Sequence, residues 1–244
     1  MSDTKDLQGK VVLVTGASRG IGYASALEAA RRGAHIIAVG RTVGGLEELD
    51  DEIQELGSAS TLVPLDISDG DAIDRLGAAI FERWGLLDGL IANAGLLGTL
   101  SPLPHIKPQE FENVLRVNVT ANFRLVRSLD LLLRQADAGR AVFISSSAAK
   151  SARPYWGLYA ASKAALDAMI KSYAGEIAQS SVKVNVFYPG AVRTAMRKKA
   201  MPGENPETLP TPAEIAPKIV DLIKPSTSEN GRLFDIQNNG FSDL

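Results

Sequence analysis

The chain of 244 residues has no cysteine, which excludes disulfide bridges and thiolate-bound metal sites alike. Histidine is nearly absent too: His35 and His105 are the only two, and neither sits in a ligand-like cluster. His35 reads as the first residue of a strand and His105 as loop, so no metal is predicted. No uninterrupted apolar run approaches the ~20 residues that span a bilayer, and no membrane association is expected. Neither sign of charge is in excess. Lys and Arg number 26 against 28 Asp and Glu, for a formal net charge of −2. A dedicated nucleic-acid binder normally shows a basic patch or stripe, and no long basic run occurs here. The opening MSDTKDLQGK is polar and partly acidic, unlike a signal peptide; with the missing cysteines it predicts a cytoplasmic location. Internal repeats and low-complexity linkers are also lacking.

What the chain does have is alternation. Short apolar runs (KVVLVTG, AHIIAVG, STLVPLD, LLDGLIANAG, RAVFISSS, VKVNVFYPG and, more weakly, GRLFDIQ) are separated by segments of helical composition. Two of those segments, IGYASALEAARRG and VGGLEELDDEIQELG, end at Gly33 and Gly57, the residue type expected just past a helix. Near-continuous Val, Ile and Leu in strands separated by helices imply a parallel sheet covered on both faces. The expectation is one α/β domain over residues 1–244, doubly wound and Rossmann-type, with about seven parallel strands and six or seven helices.

The first strand runs into TGASRGIG, residues 15–22, where Gly16, Gly20 and Gly22 precede a helix. Strand, glycine turn and helix form the context in which a dinucleotide pyrophosphate meets free N–H groups and the positive end of a helix dipole. A ribose with a free 2′-hydroxyl usually meets an acid about 20 residues further on. That place reads AVGRT: Gly40 stands where the acid would be, Arg41 follows, and Arg19 lies in the glycine turn. An arginine can bind a 2′-phosphate bidentately, so NADP(H) is predicted over NAD(H).

The stretch YAASK, residues 159–163, places Tyr159 and Lys163 one helical turn apart with only small residues between. Such i, i+4 side chains share a face, with Cβ atoms ~5–6 Å apart. A phenol of pKa ≈ 10 is about 0.1% ionised at neutral pH, and a nearby ammonium favours the phenolate. Reducing a carbonyl leaves an oxyanion, so a proton donor and a hydroxyl hydrogen bond beside it have a task to perform.

These motifs together resemble the classical short-chain dehydrogenase/reductase family over about residues 8–236. The resemblance is carried by TGASRGIG (15–22), DI (66–67), NAG (93–95), Asn118 in RVNVTANF, ISS (144–146), YAASK (159–163) and PGAVRT (189–194), in the family's order. It implies that Tyr159 gives or takes the proton, that Lys163 holds the nicotinamide ribose and lowers the tyrosine's pKa, and that Ser146 steadies the substrate oxygen. It also implies that Asn118 completes a water-linked proton path to Lys163. For the cofactor it implies contacts from Gly16, Ser18, Arg19, Gly20, Ile21 and Gly22, from Arg41, and from Asp66 and Ile67 at the adenine. Asn93, Ala94 and Gly95 would line the trough, and Pro189, Gly190, Val192 and Thr194 would surround the nicotinamide end.

The activity so implied is hydride transfer between NADP(H) and a small-molecule carbonyl or secondary alcohol, with 3-oxoacyl thioesters one substrate class of the family. The alternative is an NADP(H)-binding sensor or scaffold without turnover; the complete Asn118, Ser146, Tyr159, Lys163 set favours the enzyme. Candidate substrate walls are Leu96, Leu97, Arg153 to Trp156 and the segment 194–212, which reads as a mobile lid or as a plain surface connection. DIQNNGFSDL stands where many members carry an aspartate and paired glycines, which puts the C-terminal contact in question. Apolar and small residues spread around LYAASKAALDAMIKSYAGEIA and FENVLRVNVTANFRLVRSLDLLL, and a helix so patterned wants a second burial partner. A homo-oligomer, tetramer or dimer, is expected.

Overall fold

A computed structural model describes residues 5–244; Met1 to Thr4, part of the N-terminal stretch discussed above, lie outside the described residues. The seven apolar runs form seven strands: β1 (Val11–Thr15), β2 (His35–Gly40), β3 (Ser60–Pro64), β4 (Gly89–Ala92), β5 (Arg140–Ile144), β6 (Lys183–Tyr188) and β7 (Arg232–Asp235). They pair in parallel in the order β3-β2-β1-β4-β5-β6-β7. An eighth strand, β8 (Gly240–Asp243), adds antiparallel to β7 and was not anticipated. Its one large apolar side chain explains both facts. GFSD has no alternating pattern to read, yet Phe241 packs edge-on against Phe234, which stacks on Phe187.

The helices are α1 (Gly20–Arg31), α2 (Val43–Glu55), α3 (Gly70–Trp84), α4 (Pro108–Leu115), α5 (Ala121–Gln135), α6 (Ala148–Ser151), α7 (Gly157–Glu176), α8 (Ala195–Ala200) and α9 (Pro212–Asp221). The excess over the six or seven expected comes from the short α6 and α8, too brief to show a period. Side chains alternate across the strands, as a pleat requires. Val12, Val14, Ile36, Ala38, Ile91 and Val142 pack with α1, α2 and α9 on one face. Leu13, Ile37, Leu90, Ala141 and Phe143 pack with α3, α5 and α7 on the other. Each such Val, Leu, Ile or Phe gains about 1.5–3 kcal/mol by leaving water, so the strand interior is committed to the two cores. Chemistry is left to the strand ends.

Between α4 and α5 the helix continues through one wide π turn, Arg116–Thr120. A π turn inside an α-helix frequently marks a functional position. Here it sets Val117 and Asn118 facing inward, and Asn118 is fully buried. Sequence offered no signal for it.

Candidate active site

The order β1-β4-β5-β6 reverses direction beside β1, and ligands bind outside the carboxyl ends of strands at such a switch point. Four segments leave those ends side by side: the glycine turn after β1, Asn93–Gly95 after β4, Ser145–Ser147 after β5 and Pro189–Thr194 after β6.

The glycine turn is fitted against the segment after β4. Gly16 has φ +67°, and a Cβ there would stand 2.9 Å from Asn93 Nδ2 and 3.1 Å from the Ala94 Cα. A Cβ on Gly22 would collide with the Gly16 carbonyl. Thr15 ties the two segments, its Oγ1 accepting from the Asn93 and Ala94 N–H groups at 2.9 and 3.0 Å. Asn93 donates from Nδ2 to the Thr15 and Gly16 carbonyls, so its side chain shapes the turn and does not project into the trough. Helix α1 begins at Gly20, with no side-chain cap from Arg19 and no acid in its first turn. That leaves its N-terminal N–H groups and dipole available to an anion, and the glycine cradle fits a pyrophosphate.

Further along the same edge, Gly40 is backed by Ser18, whose Oγ would lie 3.3 Å from a Cβ there. Arg41 follows, exposed, its guanidinium 3.7 Å from an Asp66 oxygen. The Ser68 N–H holds the Asp66 carboxyl below its ordinary range, with Arg41 assisting. Asp66 stays at the surface while Ile67 packs into the core.

The second half of the site is built on α7. Tyr159, Ser162 and Lys163 are all buried. Asn118 joins this helix to the segment after β4: Oδ1 accepts from the Leu96 N–H at 2.7 Å, and Nδ2 donates to the Leu96 carbonyl at 2.8 Å and to Ser162 Oγ at 2.9 Å. Ser162 in turn donates to the Tyr159 carbonyl at 2.7 Å. The Asn118 side chain is thus a clamp. A water path from Asn118 would have to start at its carbonyl, which accepts from Asn122 Nδ2 at 2.8 Å and keeps a second lone pair. Lys163 Nζ donates to the Ile144 carbonyl at 2.9 Å and lies 5.8 Å from the centre of the Tyr159 ring. Gly95 leaves the space beside both groups open: a Cβ there would sit 3.4 Å from Asn118 Oδ1 and 3.6 Å from Lys163 Nζ.

Burial pushes the Tyr159 phenol up to about 12, with Ser146 pulling the other way. Burial also pushes the Lys163 ammonium down to about 8. Burial is the largest influence on both groups, and the ammonium is directed at a backbone carbonyl.

Around Tyr159 a small apolar cluster brings together Leu97, Ala148 and Ala160, with Leu100, Trp156 and Ala200 packed on it. Of the walls expected from sequence, Leu97 and Trp156 are in place, Trp156 edge-on to Tyr159 at 6.1 Å. Ala200 shows that the segment 194–212 reaches the site. That segment is folded, with Thr194 capping α8 and Arg197 gripping Glu204 through two bonds of 2.6 Å. Thr194 also faces the glycine turn, its Cγ2 3.7 Å from where a Gly20 Cβ would be. Val192 is buried in the core, and Gly190 abuts Ile236 and Gln237, the contact left open by the unusual C-terminal sequence. Sequence reasoning missed Thr15, Ser162 and Asn122 as supports. Ser162 lies inside YAASK and Asn122 one turn past Asn118, so spacing held the signal for both.

Comparison with known proteins gives the family. A sequence profile of the short chain dehydrogenase family matches residues 10–205. The uncharacterized oxidoreductase YciK of Escherichia coli K12 is 40% identical over 235 residues, covering 95% of this chain and 93% of that protein. Versicolorin reductase stcU of Emericella nidulans is 34% identical over 197 residues, covering 80% and 74%. A short chain dehydrogenase of Escherichia coli CFT073, crystallised with NADPH, superposes with a TM-score of 0.91 at 40% identity, covering 96% of this chain and 99% of that one. A cradle for a dinucleotide, a buried tyrosine–lysine pair and a match over most of the chain lead to one conclusion: the protein belongs to the short-chain dehydrogenase/reductase family of oxidoreductases.

Proposed function

We propose that the chain reduces bulky apolar ketones with NADPH, using Tyr159 as proton donor. The observation that carries this reading is the buried Tyr159–Lys163 face of α7, set against the open glycine cradle and lined by Leu97, Leu100, Trp156 and Ala200. NADPH, when bound, supplies the hydride to the carbonyl carbon. The protein's residues do the rest. Ser146 holds the carbonyl oxygen by its hydroxyl. Tyr159, raised to about 12, is fully protonated at neutral pH and gives its proton to the oxygen as negative charge develops there. Lys163 stabilises the phenolate that remains and hands on a proton, with the Asn118 carbonyl as the place where a water chain attaches. The segment 194–212, through Ala200, excludes water as a lid.

A 2′-phosphate fits the end of β2. Gly40 carries no carboxylate to repel it, being closed in by Leu46 and Ser18, whose Oγ is adjacent, and Arg41 is held only by a loose surface pair with Asp66. Such pairs are worth about 0–1 kcal/mol, less than the about 1.5–3 kcal/mol of a charge-assisted hydrogen bond. NADPH is expected to bind roughly 10- to 150-fold more tightly than NADH, and Arg41→Ala to erase most of that difference by weakening NADPH alone. Titration of both cofactors, followed by quenching of Trp84 and Trp156, checks this; equal affinities in the unmodified protein would refute it. Turnover is tested by NADPH oxidation against aryl ketones, diketones, quinones and 3-oxoacyl thioesters. Tight NADPH binding with no turnover across that panel would favour a sensor instead.

Assembly of like copies is part of the proposal. Ala161, Ala164, Ala168 and Gly175 form an exposed stripe on α7, and Phe123 and Leu131 are exposed on α5. Small residues allow close helix approach, and the exposed apolar groups want cover. Light scattering is expected to give a multiple of the 25.9 kDa chain mass; the monomer mass at micromolar concentration would count against it.

A further inference from the structure

Asp167 is a carboxyl that the chemistry above does not use. It lies one turn beyond Lys163, so Tyr159, Lys163 and Asp167 form a single i, i+4, i+8 row along α7, and all three are buried. Its Oδ2 accepts from the Tyr188 hydroxyl at 2.5 Å, which joins α7 to the end of β6 just before Pro189. Its Oδ1 and the Ser145 hydroxyl, beside Ser146, are buried together, close enough for Ser145 to favour the carboxylate although the bond between them is long. A buried carboxylate is costly unless it is paired, so one held chiefly by hydroxyls beneath the site needs a reason.

We propose that Asp167 is a positioning residue: its charge keeps the site's protons on Tyr159 and Lys163, and so sets the site for carbonyl reduction over alcohol oxidation. A negative charge along the row favours the ammonium on Lys163 and disfavours a phenolate on Tyr159, raising the proton affinity of both. Reduction needs the protonated phenol and oxidation the phenolate. The substrate equilibrium is untouched; the pH profile of each direction moves.

Charged and titratable neighbours on each packed element bear on this, among them Asp235 of β7, paired in register with Tyr188 and disfavouring its ionisation. On α7, Lys163 precedes Asp167 and Lys171 follows it. From α6, Lys150 lies 5.9 Å from the Tyr188 ring centre and attracts the carboxylate. From β6 comes the Tyr188 hydroxyl, and at the chain end Leu244 receives a bond from Lys171. Lys150, Lys171 and Leu244 wall a cavity of about 270 Å³ that Asp167 borders. The Asp167 carboxyl lies above its ordinary value because burial outweighs the opposing pull of Ser145, Tyr188, Lys163 and Lys150.

The proposal rests on the roles given above to Tyr159 and Lys163, but its test is read on protein without cofactor or substrate. Lysine Cε and tyrosine Cζ are labelled with ¹³C and titrated by NMR, with Lys163→Met and Tyr159→Phe identifying the resonances. In Asp167→Asn, Lys163 is expected to titrate about one pH unit or more below its position near 8, with Tyr159 moving the same way. The alkaline limb of kcat/KM for reduction should move down equally, and Asp167→Glu should restore it. An unmoved Lys163 overturns the proposal, as does a slower enzyme with an unchanged pH profile. Should Asp167→Asn fail to fold, the Asp167 Cγ shift of the unmodified protein decides: a neutral carboxyl at pH 7 overturns the proposal, an ionised one supports it. Loss of turnover in every variant, with the Lys163 shift intact, would instead fault the enzyme reading.

Discussion

Tyr159→Phe is expected to lower ketone reduction by about 10²- to 10⁴-fold, the usual range for removing a positioned general acid, while NADPH affinity stays within a few-fold. The ring survives the change. It keeps its packing on Leu97, Ala148 and Ala160 and its edge contact with Trp156. Backbone support survives as well, because Ser162 grips the Tyr159 carbonyl and not its hydroxyl. What disappears is one transferable proton. A melting temperature within a degree or two of the unmodified protein would show that the loss is chemical. Steady-state rates with an identified ketone, set beside NADPH titration and a thermal melt, separate the alternatives. Near-normal turnover would remove Tyr159 from the mechanism. Lost NADPH binding would mean that the hydroxyl serves the cofactor first.

The fold was legible because its strands are buried on both faces. All seven runs rich in Val, Ile and Leu became parallel strands, and Gly33 and Gly57 took φ values of +95° and +72° just beyond their helices. The placement of the motif residues was legible from spacing: Gly16 and Gly22 tolerate no Cβ, and Tyr159 and Lys163 share a helix face. Three things could not be read. Strand β8 exists through one aromatic contact and pairing with β7, both tertiary. The π turn that aims Asn118 inward has no period of its own. Nothing in the sequence marks Asp167, and only the neighbouring strand end with Tyr188 shows it to be enclosed. The size of the burial effect on Tyr159 was hidden for a related cause. Spacing reports how near two groups are, whereas desolvation depends on everything packed around them.

Lys163→Met should cost more than one function, since a single ammonium has two tasks. An ammonium has three donors, and the Ile144 carbonyl takes one. The other two are free for ribose hydroxyls and for the phenolate left on Tyr159. Each charge-assisted bond lost is worth about 1.5–3 kcal/mol, so the pair removes about 3–6 kcal/mol from the transition state. That is roughly a 10²- to 10⁴-fold fall in kcat/KM, divided between weaker NADPH binding and a lower kcat. Stability should change little. The variant orphans the Ile144 carbonyl, but it also deletes a buried charge whose pKa burial has already pushed to about 8. The pH profile carries the sharper reading. The ammonium is present below about 8 and lost above it, so kcat/KM for reduction should fall as pH rises through that value. In Lys163→Met the small remaining rate should be flat across the same window, because Tyr159 does not ionise until about 12. A variant that keeps the limb near 8 would assign that titration to another group and withdraw Lys163 from the proton path.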